Sequence, residues 1–391
     1  MRERQGDGRA LVRSPLRPDA PLVTTAAGLP LTAADRYIEY AGTFRLVRKI
    51  AVGGMATVYE AEQLGPAGFA KRIALKVIHP QYAKQKEWLQ LFIDEAKLSA
   101  NLMHGNIVQI YQLGEVAGEY FIAMEFIQGP TLRLVIDRHW ELGQRIPLPL
   151  AAYVASRVCR ALDFAHNFVA PDKRRLDIVH RDVSPGNVMA SWDGHIKLAD
   201  FGIAKARTSI DPAAGRQFLM GKKHYMSPEQ ILGLNVDARS DVFAVGVVLY
   251  ELLALEPLFT EDITQLAIDE VAVLPTPNIR AKIPGIDPEL EQIISVALNK
   301  DPSLRPTAAA MGHDLDEWCA AQAQIPSPDR LHDHLAKLFP TTFQPAKYSG
   351  EKTSFSNLKK SAKRLAIGHP AARGANGTRA PWWARVLGRG R

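Results

Sequence analysis

The stretch VHRDVSPGNVMASWDGHIKLADFG, which runs from Val179 to Gly202, decides how this chain folds. The short apolar segments VMA and HIKLA flank an Asp-Gly pair, a dipeptide that β-hairpin turns prefer. The pattern predicts a hairpin that places Asn187, six residues before Asp193, beside Asp200, seven residues after it. An Asn and an Asp brought together in this way offer oxygen ligands suited to Mg²⁺.

Asp182 is a third polar residue that this hairpin would bring to the same place. It lies five residues before Asn187, so it would stand beside the ion as an acceptor for a hydroxyl proton. A lone His-Arg-Asp triplet is more often a cluster of surface charges. Here the Asn and the Asp that follow it at the spacing of a hairpin favour a functional role.

Upstream, the segments FRLVRKIA, ATVYEAEQL and KRIALKVIH have the apolar patterns of β-strands, beginning at Phe44. Gly53 and Gly54 fall in the turn between the first two of these strands. Glycines in such a turn let backbone N–H groups approach a phosphate closely, although a Gly-Gly hairpin without a ligand is common.

Glu95 lies on the apolar stripe of the helix predicted for KEWLQLFIDEAKLSANL. A carboxylate is costly to bury without a partner, and Lys76 on the neighbouring strand is the natural candidate. The alternative is a surface glutamate at the edge of the stripe.

Together these motifs resemble, in residue type and order, those of bacterial Hanks-type serine/threonine protein kinases. The resemblance covers about residues 44–320. It implies an α+β, bilobal fold with a small β-rich N-lobe that carries one key helix, and a larger, mainly helical C-lobe. It also implies ATP and Mg²⁺ as cofactors, with Mn²⁺ as an alternative ion, and protein substrates with Ser or Thr acceptors.

The resemblance also assigns roles residue by residue. Lys76 would contact the α- and β-phosphates with Glu95 as its partner, and Asp182 would be the catalytic base. Asn187 and Asp200 would be the metal ligands. The positions implied for nucleotide binding are Ile50, Ala51, Val52, Gly53, Gly54, Met55, Ala56, Thr57, Val58, Ala74, Lys76, Met124, Glu125, Ile127, Met189 and Asp200.

Several positions depart from the family pattern. Ala51 and Ala56 replace the first and third glycines of the Gly-rich turn. Ser184 stands where the family usually has a lysine near the γ-phosphate, whereas Lys222 stands where it usually has a threonine. We therefore assign Lys222 a catalytic role, because it or the adjacent Lys223 would supply the missing charge. The alternative is two unrelated changes that leave both lysines in solvent.

The remaining motifs concern regulation of the site and the residues that support it. Arg181 implies control by phosphorylation of the activation segment, with Thr208 and Ser209 as candidate acceptors. Within YMSPEQ, Glu229 would pair with Arg305. Asp241 would brace the catalytic loop from the start of a buried helix.

Charge and composition suggest how the chain is divided. Residues 344–391 carry five Lys and six Arg against one Glu, a charge of +10, so the other 343 residues carry −3 of the total +7. The predicted division is a flexible leader (1–43), a kinase domain (44–322, with lobes at about 44–125 and 128–322), a linker with a short helix (323–343) and a basic tail (344–391).

The tail is expected to be disordered. Its charge and the pair Trp382 and Trp383 leave open contact with an anionic membrane surface or a nucleic acid. The N-terminus has no apolar signal-peptide core, and the longest apolar run, Val242–Phe259, contains charged residues and predicts a core helix. With only two cysteines, Cys159 and Cys319, the chain is expected to be cytoplasmic.

The loop Asn167–Ile178, longer than usual in the family, is interpreted as solvated rather than as a docking element. Three other functional classes stay open. A small-molecule phosphotransferase would usually lack the SPE-like segment, and a catalytically weak or silent signalling module need not keep Lys76, Glu95 and Asp182 together. A tyrosine kinase usually has a different catalytic loop.

Overall fold

The computed structural model describes residues 44–342, except for 117, 202–222, 260–269 and 271–273. The predicted leader (1–43) and basic tail (344–391) therefore lie outside the described residues. Among the residues that the structure describes, no helix is both long enough and apolar enough to cross a membrane.

The N-lobe is a five-stranded antiparallel sheet with strand order β1-β2-β3-β5-β4. Its strands are β1 (Phe44–Val52), β2 (Ala56–Leu64), β3 (Ala70–Ile78), β4 (Ile110–Val116) and β5 (Glu119–Glu125). A short helix α1 (Pro80–Ala83) and the longer α2 (Lys86–Ser99) follow β3. The apolar stripe of α2 buries Phe92 and Ala96 against residues of the sheet such as Ile78 and Ile122. This packing fixes α2 over β3, which carries Lys76.

The C-lobe is mainly helical. Within the described residues its α-helices are α3 (Leu132–Leu142), α4 (Leu148–His166), α5 (Pro228–Ile231), α6 (Ala238–Ala254), α7 (Pro288–Ala297), α8 (Ala308–Ala320) and α9 (Pro328–Leu338). Every residue of α6 from Ser240 to Leu253 is buried, which confirms the predicted core helix and explains its mainly apolar sequence. The two-lobed α+β architecture is confirmed.

The predicted hairpin forms between the lobes. Strands β6 (Val188–Ala190) and β7 (Ile196–Leu198) are antiparallel, and their register places Asn187 opposite Ala199, one residue before the predicted neighbour Asp200. Gly194 in the turn has φ +82°, a value that glycine adopts at low cost. Below the paired strands, the Ala199 N–H donates to the carbonyl of Asn187 at 2.9 Å, so the two chain ends stay together.

The segment Asn167–Ile178 folds back on itself. Val169 and Arg175 form an isolated antiparallel bridge, and the Leu176 N–H donates to the carbonyl of Phe168 at 3.1 Å. Most of the segment is exposed.

Helix α9 packs on the back of the β6–β7 hairpin. Leu331 and Leu335 are buried in the C-lobe core, and His332 Nδ1 lies 2.6 Å from the carbonyl oxygen of Trp192 in the hairpin turn. The carbonyl of Leu338 accepts a hydrogen bond from Arg138 Nε on α3 at 3.3 Å. Helix α9, which lies in the predicted linker (323–343), therefore supports the hairpin.

A pair of histidines joins α9 to α3. His139 Nδ1 lies 3.1 Å from the carbonyl oxygen of Gln144, which can only accept, so Nδ1 carries the proton and Nε2 is an acceptor. The Nε2 atoms of His139 and His334 are 2.9 Å apart, which requires His334 to donate. The hydrogen bond between the two rings is therefore lost when both histidines are protonated, because two N–H donors then face each other.

We expect the docking of α9 to weaken at acidic pH. Burial lowers the pKa of His139. Burial also lowers the pKa of His334 to about 4, with smaller contributions from His139 and Lys337. The unfolded chain therefore binds more protons, so the stabilisation is complete above about pH 6.5 and is lost as the pH falls towards 4.

Hydrogen exchange of the α9 amides at pH values on either side of this range measures the effect. Protection of α9 should fall relative to that of α6, which contains no histidine. Equal loss of protection in both helices, or no loss in α9, would contradict a role for the pair.

Candidate active site

Lys76 lies between two carboxylates in the cleft that separates the lobes. Its Nζ is 2.7 Å from Glu95 Oε1 and 2.8 Å from Asp200 Oδ1. Strand β3 supplies the lysine, α2 the glutamate, and the chain just after β7 the aspartate. The structure therefore closes an ion-paired triangle across elements that are 19 and 124 residues apart in sequence.

The triangle holds Lys76 as a cation. Burial alone would lower the pKa of Lys76, but the carboxylates of Asp200 and Glu95 outweigh burial and raise its pKa above the ordinary value. An ammonium group held charged in a partly closed cleft is suited to binding phosphate oxygens. A cavity beside it is lined by Met124, one of the positions predicted to bind nucleotide, and by Phe201.

The catalytic loop orients the amide of Asn187. Its Nδ2 donates to the backbone oxygen of Asp182 at 2.8 Å and to Asp182 Oδ2 at 3.1 Å. Because the nitrogen is used in this way, the Oδ1 atom is the one that the amide can offer to a metal ion. Asp182 is thereby fixed next to Asn187, as the hairpin predicts.

The donor set fits a nucleotide-bound Mg²⁺ better than an ion held by protein alone. In the described part of the chain, no group of three or more His, Cys, Asp or Glu side chains could hold a metal ion. Mg²⁺ is commonly held by one or two protein ligands together with substrate phosphates and water. Asn187 and Asp200 are the residues that would hold it here.

Asp241 braces the catalytic loop from the first turn of α6. Its Oδ2 accepts from the His180 N–H at 2.7 Å, and its Oδ1 accepts from the Arg181 N–H at 2.7 Å. His166 Nε2 lies 2.9 Å from the same carboxylate. Arg181 and Asp200 have φ values of +63° and +57°, which are uncommon for residues with a side chain. The buried hydrogen bonds to Asp241 hold the first of these conformations in place.

The segment that follows the activation region is anchored to the C-lobe. Glu229 on α5 receives two hydrogen bonds from Arg305, at 2.6 and 2.9 Å, and both residues are buried. Ser227 caps α5, and Gln230 Nε2 donates to the carbonyl of Arg181 at 3.2 Å. Through this last bond α5 contacts the catalytic loop directly.

The residues predicted to bind nucleotide lie mostly on the strands of the N-lobe sheet and in the segments that join or follow them. In the β1–β2 turn, the Gly53 N–H donates to the carbonyl of Ala56 at 2.8 Å. Ala74 pairs with Met124 across β3 and β5, and Glu125 ends β5. The other predicted positions lie on β1, β2 or β6 or in the chain after β5: Ile50, Ala51, Val52, Thr57, Val58, Ile127 and Met189.

Three predicted residues cannot be placed. Lys222, Thr208 and Ser209 lie outside the described residues. Ser184 is buried in the catalytic loop, with its carbonyl accepting from the Asn187 N–H at 3.0 Å.

His166 and His180 also form part of the site, although the sequence motifs predicted no role for them. His180 is buried, its Nε2 lies 3.0 Å from the carbonyl oxygen of Ala199, and its ring packs on Phe201 at 4.5 Å between centroids. The position of His180 inside the His-Arg-Asp triplet was an available signal. His166, at the end of an amphipathic helix, gave none.

Comparison with known proteins places this cleft in a family. The sequence pattern of the protein kinase domain matches residues 44–315. The chain is 39% identical over 312 residues to the tyrosine-protein kinase MasK of Myxococcus xanthus, covering 77% of this chain and 46% of that protein. It is 34% identical over 276 residues to the serine/threonine-protein kinase PrkC of Bacillus subtilis, covering 70% and 40%. This chain thus spans less than half the length of these two relatives.

Two further similarities cover more of the matching protein. The serine/threonine-protein kinase PknL of Mycobacterium tuberculosis is 34% identical over 294 residues, covering 73% of this chain and 69% of that protein. The crystal structure of the M. tuberculosis PknI kinase domain is similar at a TM-score of 0.55 and 26% identity, covering 71% of this chain and 96% of that domain. The cleft geometry and these matches together show that the chain belongs to the protein kinase family, among the bacterial Hanks-type kinases.

Proposed function

We propose that this protein is an ATP-dependent serine/threonine protein kinase that transfers the γ-phosphate of ATP to a protein hydroxyl, including hydroxyls of its own activation segment. The observation that carries the proposal is the position of Lys76 between Glu95 and Asp200. In protein kinases both the lysine–glutamate pair and the aspartate that binds Mg²⁺ must be in place for phosphotransfer.

The proposed mechanism uses the side chains as they lie. Lys76 orients the α- and β-phosphates, and Asp182 accepts the proton of the acceptor hydroxyl as its oxygen bonds to the γ-phosphorus. The bond from that phosphorus to the β-phosphate oxygen breaks, and ADP leaves. Asn187 and Asp200 would hold Mg²⁺, which neutralises charge on the β- and γ-phosphates. Asp241 keeps the catalytic loop in position throughout.

Incubation of the purified protein with Mg·ATP, followed by mass spectrometry, tests the proposal. We expect phosphate on Ser or Thr residues of the protein or of an added general acceptor, with Thr208 and Ser209 as the first residues to examine. Phosphate on Tyr alone would show tyrosine specificity, which the name of the relative MasK makes a real alternative. Binding of ATP without transfer under any acceptor condition would indicate a silent signalling module.

Different observations support serine or threonine as the acceptor residue and a protein as the substrate. The serine/threonine-kinase relatives PrkC and PknL support the choice of acceptor. The buried pair Glu229–Arg305 anchors a segment that small-molecule phosphotransferases usually lack, and so supports a protein substrate.

Lys222 is proposed to replace the lysine that is missing at Ser184. Ser184 is buried and uncharged in the loop between Asp182 and Asn187, so it cannot supply the charge itself. Removal of one charge-assisted donor from a comparable site lowers the rate about 10²–10³-fold. We therefore expect Lys222→Thr to slow phosphotransfer by about that factor, and the double variant with Ser184→Lys to recover much of it.

Rates of autophosphorylation of the wild-type protein, Ser184→Lys, Lys222→Thr and the double variant measure this exchange. Lys223→Thr is the matched control, because it removes a neighbouring lysine with the same change of residue type. An unaltered rate in Lys222→Thr, with a slow Lys223→Thr, would assign the role to Lys223. Unaltered rates in both would show that neither lysine replaces the missing charge.

The remaining organisation of the chain is also a proposal. The proposed division is a leader (1–43), a kinase domain (44–322), a linker (323–343) whose helix α9 packs on that domain, and a basic tail (344–391) that contacts anionic partners. The tail's charge of +10 supports that contact. We propose a cytoplasmic location because ATP is the phosphate donor and because burial raises the pKa of both Cys159 and Cys319, which suits unreactive thiols.

A further inference from the structure

His79 follows the last residue of β3 and contacts the turn between β1 and β2 from outside the cleft. Its backbone N–H donates to the carbonyl of Met55 at 2.8 Å. Its Nε2 lies 2.9 Å from the hydroxyl oxygen of Thr57, and a further hydrogen bond joins its imidazole to the backbone of Gly54. One residue thus contacts three residues at or beside the Gly-rich turn.

The position of His79 is itself fixed. It is the N-cap residue of α1, and its carbonyl accepts from the N–H groups of Tyr82 and Ala83 at 2.9 and 3.0 Å. The ring of Tyr82 lies 6.4 Å from the imidazole, centroid to centroid. Lys49 on β1 is the charged residue that acts on the imidazole. The histidine is therefore anchored on one side and in contact with the turn on the other.

The Gly-rich turn has little conformational restraint of its own. Gly53 and Gly54 are exposed and adjacent, and glycine loses more conformational freedom than any other residue when its backbone is fixed. In a trans peptide the C=O and the following N–H point in opposite directions. Because the carbonyls of Gly54 and Met55 point to His79, the N–H groups of Met55 and Ala56 point away from it. Phosphate oxygens accept hydrogen bonds, so only this orientation of the peptides suits a nucleotide.

We propose that His79 is a positioning residue that fixes the peptide orientation of the Gly-rich turn and thereby raises the affinity of the cleft for Mg·ATP. It does so without touching the nucleotide. Thr57 takes part by holding the imidazole, since its buried hydroxyl faces Nε2. The inference rests on the proposed function, because it assumes that the turn binds ATP phosphates.

Calorimetric titration with the Mg complex of β,γ-imido-ATP, which is not turned over, tests this role. We expect His79→Ala to weaken binding about threefold to tenfold, the effect of losing an ordinary hydrogen bond, while kcat at saturating ATP changes less than KM. Thr57→Val, which keeps the shape of the side chain, should weaken binding to a similar extent. The double variant should be no weaker than the worse single variant, because both remove the same contact.

Two further variants make the outcome decisive. His79→Gln, which retains a donor and an acceptor, should recover part of the affinity. His313→Ala is the control, since His313 is an exposed histidine on α8, in the other lobe. Wild-type affinity in His79→Ala, or effects of His79→Ala and Thr57→Val that simply add, would overturn the role of His79. Failure of the wild-type protein to bind the nucleotide would instead overturn the proposed function.

Discussion

Asp182→Asn is expected to lower the rate of phosphotransfer about 10²–10⁴-fold, the usual contribution of a general base. The change is nearly isosteric and removes the negative charge of the proton acceptor. The bond from Asn187 Nδ2 to the backbone oxygen of residue 182, at 2.8 Å, does not involve the side chain and should persist. The loop is also held by Asp241, which bonds to the backbone at His180 and Arg181.

Nucleotide affinity separates this effect from damage to the cleft. Lys76, Glu95 and the metal ligands remain in the variant, so Mg·ATP should bind as it does to the wild-type protein. Asp193→Asn provides the matched control, because Asp193 is an exposed aspartate in the hairpin turn and its loss should leave the rate unchanged. A variant at Asp182 that keeps the wild-type rate would show that another group accepts the proton.

Arg305→Met is expected to lower the free energy of unfolding of the C-lobe by about 3–5 kcal/mol, the cost of breaking a buried ion pair from one side. The guanidinium binds Glu229 through both terminal nitrogens. It also donates to the carbonyls of Asn299 at 2.6 Å, Lys300 at 3.0 Å and Arg239 at 3.1 Å. Loss of the arginine leaves a buried carboxylate and three carbonyls without these partners.

The Glu229 carboxylate gives this prediction a pH dependence. Burial alone would raise the pKa of Glu229, but the hydrogen bonds from Arg305 and Ser240 outweigh burial and lower it. A lowered carboxyl pKa means that the folded state binds fewer protons, so the pair stabilises fully above about pH 4.5 and is lost as the pH falls further. The wild-type protein should lose this stabilisation in acid, whereas Arg305→Met should already lack it.

Urea unfolding monitored by fluorescence or circular dichroism measures both effects. Arg280→Met is the control, because Arg280 pairs with Glu291 at the surface, where ion pairs contribute little. Equal stability of Arg305→Met and Arg280→Met would mean that the buried pair does not stabilise the segment that carries α5.

Much of the site could be predicted from the sequence because its signals are local. The Asp-Gly turn and the short apolar segments beside it define the β6–β7 hairpin, and a hairpin fixes which residues meet at its open end. The carboxylate of Glu95 on an apolar helical stripe indicates a buried partner. Such patterns are properties of a few consecutive residues, so they are present before the chain has packed.

Other features of the site come from packing between distant segments. His166 contacts the carboxylate of Asp241 across 75 residues, His139 contacts His334 across 195 residues, and His79 contacts the turn that lies 24 residues before it. None of these histidines differs in pattern from an ordinary core or surface residue. Their partners are chosen only when α6, α9 and β3 are set against the loops that they support. The sequence by itself determined which groups carry the chemistry, while the tertiary structure decided what holds them in place, because turn and helix patterns act over neighbouring residues whereas these supporting contacts form only on packing.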